Sequence, residues 1–234
     1  MKMLVLAGGF GTRLSNILNG MPKALVAIEE KPFLYYQIQN WKIQGITSFV
    51  FLLHHKADLI IDFLNEHRDG LLQKCNVNYV IEPEPLGTGG AIKNALTILN
   101  INESFLVVNA DTWISDSLVD LITISPPVLA YSSMWNADRY GSINVTEEGL
   151  IDSFVEKKIG SPFYQKYKVN AGLALLSPSV FLNVPEKIFS IEEKIFKFLS
   201  KHKKLKAYKL QNEFIDIGIE SDYYKFCQYI KNHK

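Results

Sequence analysis

The sequence predicts an α/β fold with a mostly parallel sheet. Short apolar runs at residues 3–7, 47–53 and 77–81 have the length and composition of buried strands. Segments with apolar positions at helical spacing, at residues 33–44 and 57–66, lie between these runs. Because strands and helices alternate, we expect neighbouring strands to pair in parallel through right-handed crossovers.

The composition is that of one globular domain. The chain has 234 residues, of which 47% are hydrophobic, and this is enough to bury a substantial core. A formal net charge of +1 gives no field that would recruit nucleic acid or an anionic membrane, so neither partner is expected. The sequence has no apolar run of membrane-spanning length and no signal-peptide pattern, and Cys75 and Cys227 are isolated. These features predict a cytoplasmic protein with reduced thiols.

A glycine-rich stretch, LAGGFGTRL at residues 6–14, follows the first predicted strand. Glycine permits a positive φ and the close approach of a ligand, and open α/β sheets bind ligands where strands end. Arg13 and Lys23 add positive charge, which together with backbone N–H groups suits a polyphosphate. Neither a dinucleotide fingerprint nor a Walker loop fits the spacing, and an ordinary strand-to-loop turn remains an alternative.

A second glycine-rich run, EPEPLGTGGA at residues 82–91, precedes a predicted helix at residues 91–99. Bare N–H groups at a helix N-terminus can hold an anion or the polar edge of a base. The alternative is an ordinary glycine-rich start of a helix. The carboxylate of Glu82 offers acceptors that match the two donors, N1–H and N2–H, on one edge of guanine.

An acidic residue ends the next apolar run. Asp111 follows the predicted strand at residues 105–110, and Asp216 lies in a second short apolar run, FIDIG. One carboxylate with phosphate oxygens and water is how magnesium is commonly held, although a helix cap is an alternative for Asp111. Asp116 is expected to cap the helix that follows it.

The second half of the chain predicts further strands, at residues 128–133, 142–145 and 150–156, with a hairpin turn at residues 147–149. Asn170 lies in a run that is otherwise typical of a strand with a glycine bulge. Glu156 and Lys157 belong to a charge run whose simplest interpretation is a solvated surface. Helices are predicted at three further places, residues 178–184, 191–199 and 219–233.

The motifs occur in an order that resembles the sugar nucleotidyltransferase family. They are GGxGTRL with Pro22-Lys23, ExxPLGTGGA, NxD at residues 109–111, YG at 140–141, EK at 156–157, NAG at 170–172 and DxG at 216–218. The resemblance implies a three-layer α/β/α sandwich with a mostly parallel, doubly wound, Rossmann-like sheet of the GT-A-like nucleotidyltransferase type. It also implies a single domain over residues 1–234, with a nucleotide-binding part at about 1–125, a sugar-binding part at about 126–218 and a C-terminal helix at 219–233.

The resemblance assigns a role to each matching residue. It makes Arg13 and Lys23 catalytic and gives Mg²⁺ two ligands, Asp111 and Asp216. The implied nucleotide-binding residues are Leu6, Ala7, Gly8, Gly9, Gly11, Thr12, Glu82, Pro85, Gly87 and Thr88. The implied sugar-phosphate-binding residues are Gly141, Glu156, Lys157 and Asn170.

The implied reaction transfers a nucleoside monophosphate from a nucleoside triphosphate to a sugar 1-phosphate and releases pyrophosphate. The ExxPLGTGGA run resembles guanylyl-transferring members, which favours GTP over other nucleotides and D-glycero-D-manno-heptose 1-phosphate as the acceptor. Mannose 1-phosphate, or another hexose 1-phosphate, is the alternative substrate. A sugar-nucleotide-binding regulatory subunit and a glycosyltransferase are the rival classes. A homodimer through Tyr224, Phe226 and Tyr229 of the C-terminal helix is a further expectation.

Overall fold

The structure, a computed structural model, describes residues 1–135, 140–155 and 166–233. Its strands are β1 (Lys2–Leu6), β2 (Ala27–Ile28), β3 (Lys31–Pro32), β4 (Ser48–Leu53), β5 (Asn76–Ile81), β6 (Phe105–Asn109), β7 (Thr112–Trp113), β8 (Val128–Met134), β9 (Ser142–Val145), β10 (Leu150–Val155), β11 (Tyr167–Leu176), β12 (Leu205–Lys209) and β13 (Ile215–Asp216). The mixture of strands and helices confirms the predicted α/β class.

The described helices are α1 (Ser15–Leu18), α2 (Phe33–Ile43), α3 (Ala57–Glu66), α4 (Gly87–Ile98), α5 (Lys197–Lys201) and α6 (Glu220–Asn232). Short 3₁₀ turns occur at Thr12–Leu14, Lys23–Leu25, Leu121–Thr123 and Pro178–Phe181, and a π-helical turn at Glu192–Phe196 leads into α5. The helix predicted at residues 178–184 is therefore only a 3₁₀ turn. None of the helices in the described ranges is long and apolar enough to cross a membrane.

The chain divides into two compact units that alternate along the sequence. Unit 1 comprises Met1–Pro85, Val108–Ser115 and Phe214–Lys234. Unit 2 comprises Leu86–Val107 and Asp116–Glu213. Unit 1 is therefore completed by a short central segment and by the last segment of the chain.

Unit 1 contains the parallel strands that the sequence predicts. β4 pairs in parallel with β1 on one side and with β5 on the other, which confirms the expectation from the strand–helix alternation. Beyond the end of β1, the Ala110 N–H donates to the Leu6 carbonyl at 3.0 Å. The carboxyl ends of these strands consequently meet at one edge of the sheet, where ligands of α/β proteins bind.

Helix α6 packs against the core of unit 1. Phe226 is fully buried, and its ring lies 4.7 Å from the ring of Phe33 and 5.2 Å from that of Trp113. The assignment of Phe226 to a dimer contact is therefore wrong, because its ring is buried within the core of its own chain and is not available to a second copy. Tyr229 also packs partly on this cluster, whereas Tyr224 is exposed. The homodimer itself remains a prediction.

Unit 2 contains a mixed set of strands in the order β11-β8-β12-β10-β9. β8 pairs in parallel with β12 but antiparallel with β11, and β9 and β10 form the predicted antiparallel hairpin. Most of its pairs are therefore antiparallel rather than parallel. A short turn such as the one joining β9 and β10 can connect only antiparallel strands.

Asp116 does not cap a helix, contrary to the prediction. Its carboxylate accepts hydrogen bonds from the N–H groups of Gln211 and Asn212, the latter at 3.1 Å, and from the Asn212 side-chain amide at 2.8 Å. The nearest helical turn instead begins at Leu121, after Asp120. Asp116 therefore ties two distant segments of unit 2 together.

Candidate active site

The glycine loop of unit 1 follows β1. Gly11 has φ +67°, and a Cβ there would lie 2.9 Å from Leu18 Cδ1 and 3.4 Å from Lys23 Cβ. Both the backbone conformation and the space therefore require glycine. Gly9 is exposed, with no atom within 4 Å of a Cβ built there, so its backbone is accessible. The loop continues into the turn Thr12–Leu14, on which Arg13 is exposed.

The candidate base-reading residue, Glu82, lies beside this loop. Its N–H donates to the Leu53 carbonyl at 2.7 Å, which fixes the residue at the end of β5. A Cβ added to Gly8 would be 3.2 Å from Glu82 Oε1, so the carboxylate faces bare backbone. His54, at the end of β4, donates from Nδ1 to the Glu82 carbonyl at 3.1 Å. Glu82 is only 8% exposed, and these hydrogen bonds fix its backbone next to the ends of β4 and β5.

Lys23 joins the two carboxylates that the resemblance assigns to a metal. Its Nζ lies 2.5 Å from Asp111 Oδ2 and 3.6 Å from Asp216 Oδ1. The Lys23 side chain is only 13% exposed, so solvent screens these interactions less than at a surface. One ammonium between two carboxylates leaves a local charge of about −1, which favours a divalent cation.

Two short strands hold these carboxylates together. β7 and β13 pair antiparallel, with Thr112 opposite Asp216. The Ile217 N–H donates to the Asp111 carbonyl at 3.0 Å, which extends the pairing by one residue. The sequence motifs indicated each carboxylate separately, and strand pairing within unit 1 explains why the two meet.

The donor set fits a hard divalent cation. Among the residues that the structure describes, no group of three or more His, Cys, Asp and Glu side chains gathers into a metal cluster. Asp111 and Asp216 would therefore supply two oxygen ligands, and phosphate oxygens and water would complete the shell. Such incomplete protein coordination is typical of Mg²⁺ bound together with a nucleotide.

Sequence reasoning missed two amide side chains on helix α2. Gln37 is fully buried, and its Nε2 donates to the Thr112 carbonyl at 2.7 Å. One turn later, Asn40 Nδ2 donates to the Ile114 carbonyl at 2.8 Å. Both contacts hold the segment that follows Asp111. The available signal was a pair of polar residues at i and i+3, one of them on the apolar face of the helix.

The glycine run of unit 2 uses its backbone donors internally. The N–H groups of Gly89 and Gly90 donate to the Phe189 carbonyl at 3.0 and 3.2 Å, and the Phe189 N–H donates to the Leu86 carbonyl at 2.9 Å. The expectation of bare N–H groups is therefore wrong for Gly89 and Gly90. Helix α4 also begins at Gly87, four residues earlier than predicted, because these glycines form its first turn.

Close packing explains the glycines of this run. A Cβ on Gly87 would lie 2.6 Å from the Phe189 carbonyl oxygen, and one on Gly90 would lie 2.2 Å from that of Lys187. Thr88 Oγ1 donates to Glu192 Oε2 at 2.9 Å and accepts from the Ile191 N–H at 2.9 Å. The Thr88 hydroxyl therefore connects the start of α4 to the turn at Ile191 through two hydrogen bonds. Pro85, the remaining candidate nucleotide-binding residue, belongs to unit 1 and is exposed.

Two of the candidate sugar-phosphate residues are neighbours in unit 2. The Asn170 N–H donates to the Gly141 carbonyl at 3.2 Å, and Asn170 Oδ1 accepts from the Gly172 N–H at 2.9 Å. The strand register shifts between Asn170 and Ala174, and Gly172 has φ +68°, so the glycine bulge is present. Burial raises the pKa of Tyr131, which lies opposite Asn170 in the pairing of β8 with β11. Glu156 and Lys157 lie outside the described residues.

A glycine loop, a lysine and two carboxylates gathered where α/β strands end define a protein that binds and transfers phosphate-containing groups. The chain belongs to the nucleotidyl transferase family, whose family model matches residues 2–233.

Its relatives include a protein that it matches over nearly the whole of that protein's length. The chain is 38% identical over 231 residues to the D-glycero-alpha-D-manno-heptose 1-phosphate guanylyltransferase of Campylobacter jejuni, with 97% of this chain and 98% of that protein covered. It is 29% identical to the mannose-1-phosphate guanyltransferase of Schizosaccharomyces pombe, of which it spans 62%. The crystal structure of HddC from Yersinia pseudotuberculosis in complex with GMP-PN matches with a TM-score of 0.82 and 35% identity. The match covers 98% of this chain and 99% of the HddC chain.

Proposed function

We propose that the protein transfers GMP from GTP to a sugar 1-phosphate and releases pyrophosphate. The observation that carries the proposal is the convergence of Lys23, Asp111 and Asp216 beside the glycine loop. This arrangement supplies both signs of charge that a triphosphate and a divalent cation need. Membership of the nucleotidyl transferase family supports the same reaction class.

The favoured acceptor is D-glycero-D-manno-heptose 1-phosphate. The guanylyltransferase that is named for this sugar in Campylobacter jejuni matches the chain over 98% of its own length. The yeast relative named for mannose 1-phosphate is matched over only 62% of its length and at lower identity. Mannose 1-phosphate is therefore the second substrate to test.

The reaction needs positioning and charge neutralisation more than proton transfer. The phosphate oxygen of the sugar 1-phosphate is already an anion, so it attacks the α-phosphorus of GTP in line without a general base. Arg13 and Lys23 are proposed to neutralise the negative charge that develops on the triphosphate. Lys157, with Glu156, Gly141 and Asn170, is proposed to bind the sugar phosphate.

Mg²⁺ is the proposed metal, with Asp111 and Asp216 as its protein ligands. When bound, Mg²⁺ would neutralise charge on the phosphates and orient them for attack. Lys23 contacts both carboxylates, so we expect its ammonium group to move toward the triphosphate when the metal enters.

Glu82 is proposed to select guanine. An ionised carboxylate accepts hydrogen bonds only, so it can accept from N1–H and N2–H of guanine. Uracil and thymine present carbonyl oxygens next to N3–H, which would leave buried negative charge facing oxygen. The low exposure of Glu82 makes this discrimination strong, because water cannot compensate the mismatch easily.

The direct test is a panel of four nucleoside triphosphates against several sugar 1-phosphates, followed by pyrophosphate release. We expect GTP with the heptose 1-phosphate to give the highest kcat/KM and mannose 1-phosphate a lower value. Binding of GTP without turnover on any sugar 1-phosphate would contradict an enzymatic role and favour a regulatory subunit.

Glu82→Gln tests the assignment of the base. The variant should lower kcat/KM for GTP by about 10- to 100-fold and reduce the GTP-to-UTP ratio, because one charged acceptor becomes a donor. Glu84→Gln is the matched control, since Glu84 lies two residues away and is exposed. An unchanged GTP-to-UTP ratio in Glu82→Gln would mean that other groups read the base.

A further inference from the structure

Strand β7 is held along both of its edges. On one edge, the Asp111 carbonyl accepts from the Ile217 N–H at 3.0 Å, next to the pairing with β13. Carbonyl groups alternate in direction along a strand, so those of Thr112 and Ile114 point the opposite way. There they accept from Gln37 and Asn40 of helix α2 at 2.7 and 2.8 Å.

We propose that Gln37 and Asn40 are positioning residues for the candidate metal site. By fixing the outer edge of β7, they set where the Asp111 carboxylate lies relative to that of Asp216. This inference rests on the proposed role of the two carboxylates as metal ligands. The two amides act through the backbone and touch neither the metal nor the nucleotide.

The burial of these groups makes the hydrogen bonds necessary. Thr112 is 3% exposed and Ile114 is 5% exposed, so their carbonyls have little access to water. A buried carbonyl without a donor costs free energy, so the two amides add to the contacts that β7 makes through Trp113 and through its pairing with β13. Loss of either amide would therefore allow β7 to shift rather than leave its carbonyl unsatisfied.

The two amides are fixed in orientation. The contact of Gln37 Nε2 with the Thr112 carbonyl orients its amide, while Gln37 Oε1 has no hydrogen-bond partner within the described residues. Asn40 is oriented from the other side, because Gln44 Nε2 donates to Asn40 Oδ1 at 3.2 Å. Both positions need a side chain that can donate a hydrogen bond, because a carbonyl only accepts, and an amide supplies that donor.

The carboxylate geometry already depends on small displacements. Lys23 Nζ is 2.5 Å from Asp111 but 3.6 Å from Asp216, so a movement of Asp111 by about one ångström would make the two distances nearly equal. A cation held by oxygen ligands at short, defined distances is equally sensitive. Groups that orient metal ligands typically affect metal affinity by one to two orders of magnitude.

The test is Gln37→Leu, which keeps a side chain of similar volume but removes the donor. Mn²⁺ binding to the protein without nucleotide is measured by electron paramagnetic resonance of the free ion. We expect the dissociation constant to rise by about 10- to 100-fold. The Mg²⁺ concentration that gives half-maximal GMP transfer should rise in the same direction.

Two variants separate positioning from general stability. Ile38→Ala is the matched control, since Ile38 is the next residue, is fully buried and has no group that could donate to β7. Its cavity should lower the Tm without changing either metal measurement. Asn40→Ala covers the case in which Gln37→Leu does not fold, because Asn40 is only half-buried, and it should weaken Mn²⁺ binding by about tenfold.

The positioning role is overturned if both metal measurements are unchanged in the folded variants, or if the wild-type protein binds no Mn²⁺. Weaker Mn²⁺ binding by Gln37→Leu in a protein that transfers no GMP would support the positioning role and reject the proposed function. Normal GMP transfer by Gln37→Leu with unchanged metal dependence would support the proposed function and reject the positioning role.

Discussion

Two glycine-rich stretches of this chain resemble each other in sequence but differ in what their backbone does. In the loop after β1, Gly9 is open to solvent and Gly8 faces the Glu82 carboxylate. At the start of α4, by contrast, Gly89 and Gly90 donate to the carbonyl of Phe189. The first stretch therefore leaves backbone accessible, whereas the second uses glycine so that another segment can pack closely.

This difference shows that a high density of glycine has two separate physical causes. Removal of a Cβ creates space, and either a ligand or another part of the same chain can occupy it. Charged side chains distinguish the two cases here. Gly11 packs against Lys23, which contacts two carboxylates, while Gly90 packs against backbone.

Lys23→Met should give the largest effect on activity. If activity did not fall, the glycine loop beside Lys23 would have no functional role to set against the structural role of the second glycine run. We expect kcat for GMP transfer to fall by about 10²- to 10³-fold, because a fixed positive charge near the reacting phosphate is lost. Lys31→Met, at an exposed position, is the control and should retain activity. A kcat within threefold of the wild type would remove Lys23 from the catalytic group.

The same variant should bind Mn²⁺ more tightly than the wild type in the absence of nucleotide. Removal of the ammonium group changes the local charge from about −1 to about −2 and removes the lysine contact from both carboxylates. Calorimetric titration of the variant and of the wild type with Mn²⁺ checks whether the dissociation constant of the variant is the lower one. Weaker binding by Lys23→Met would mean that the lysine supports the metal site rather than competing with the metal.

Gly90→Ala should give the next largest effect, on stability. Its Cβ would lie 2.2 Å from the backbone oxygen of Lys187, which cannot rotate away. We expect the free energy of unfolding to fall by about 2–3 kcal/mol, as in an overpacked core. Gly9→Ala, with open space around it, should change this free energy by less than about 0.5 kcal/mol in urea titrations. Equal losses in the two variants would invalidate the contrast.

Thr88→Val should give the smallest effect. It removes two hydrogen bonds, to Glu192 and from Ile191, which predicts a loss of about 1–2 kcal/mol in the free energy of unfolding. If the hydroxyl only fastens the turn at Ile191, the KM for GTP should stay within twofold. A tenfold rise in this KM without a loss of stability would support the nucleotide-binding role that the sequence motif predicts.

Helices and hairpins whose pattern lies in consecutive residues could be predicted well from the sequence. Helix α3 has the predicted bounds, Ala57–Glu66, because its apolar positions follow helical spacing. Strand β9, at Ser142–Val145, also has the predicted bounds, and the turn after it forms the expected hairpin. These features depend on neighbours in the sequence, which a pattern can reveal.

Features that depend on distant contacts could not be predicted in the same way. Asp116 has the local pattern of a helix cap, but its partners are Gln211 and Asn212. Phe226 is predicted to contribute to a dimer contact, yet its ring packs against those of Phe33 and Trp113. Each of these outcomes depends on which distant segments pack together, and local patterns in the sequence do not reveal those contacts.

The pairing of β7 with β13 has a consequence for how the protein is made. Asp111 emerges from the ribosome before the segment Asp116–Glu213 of unit 2, whereas Asp216 follows only after that segment has been synthesised. A nascent chain that has not reached Ile215 contains the glycine loop and Lys23 but lacks one of the two carboxylates. We expect the candidate active site to form only after residues 215–217 have been translated, so shorter nascent chains would be unable to use GTP.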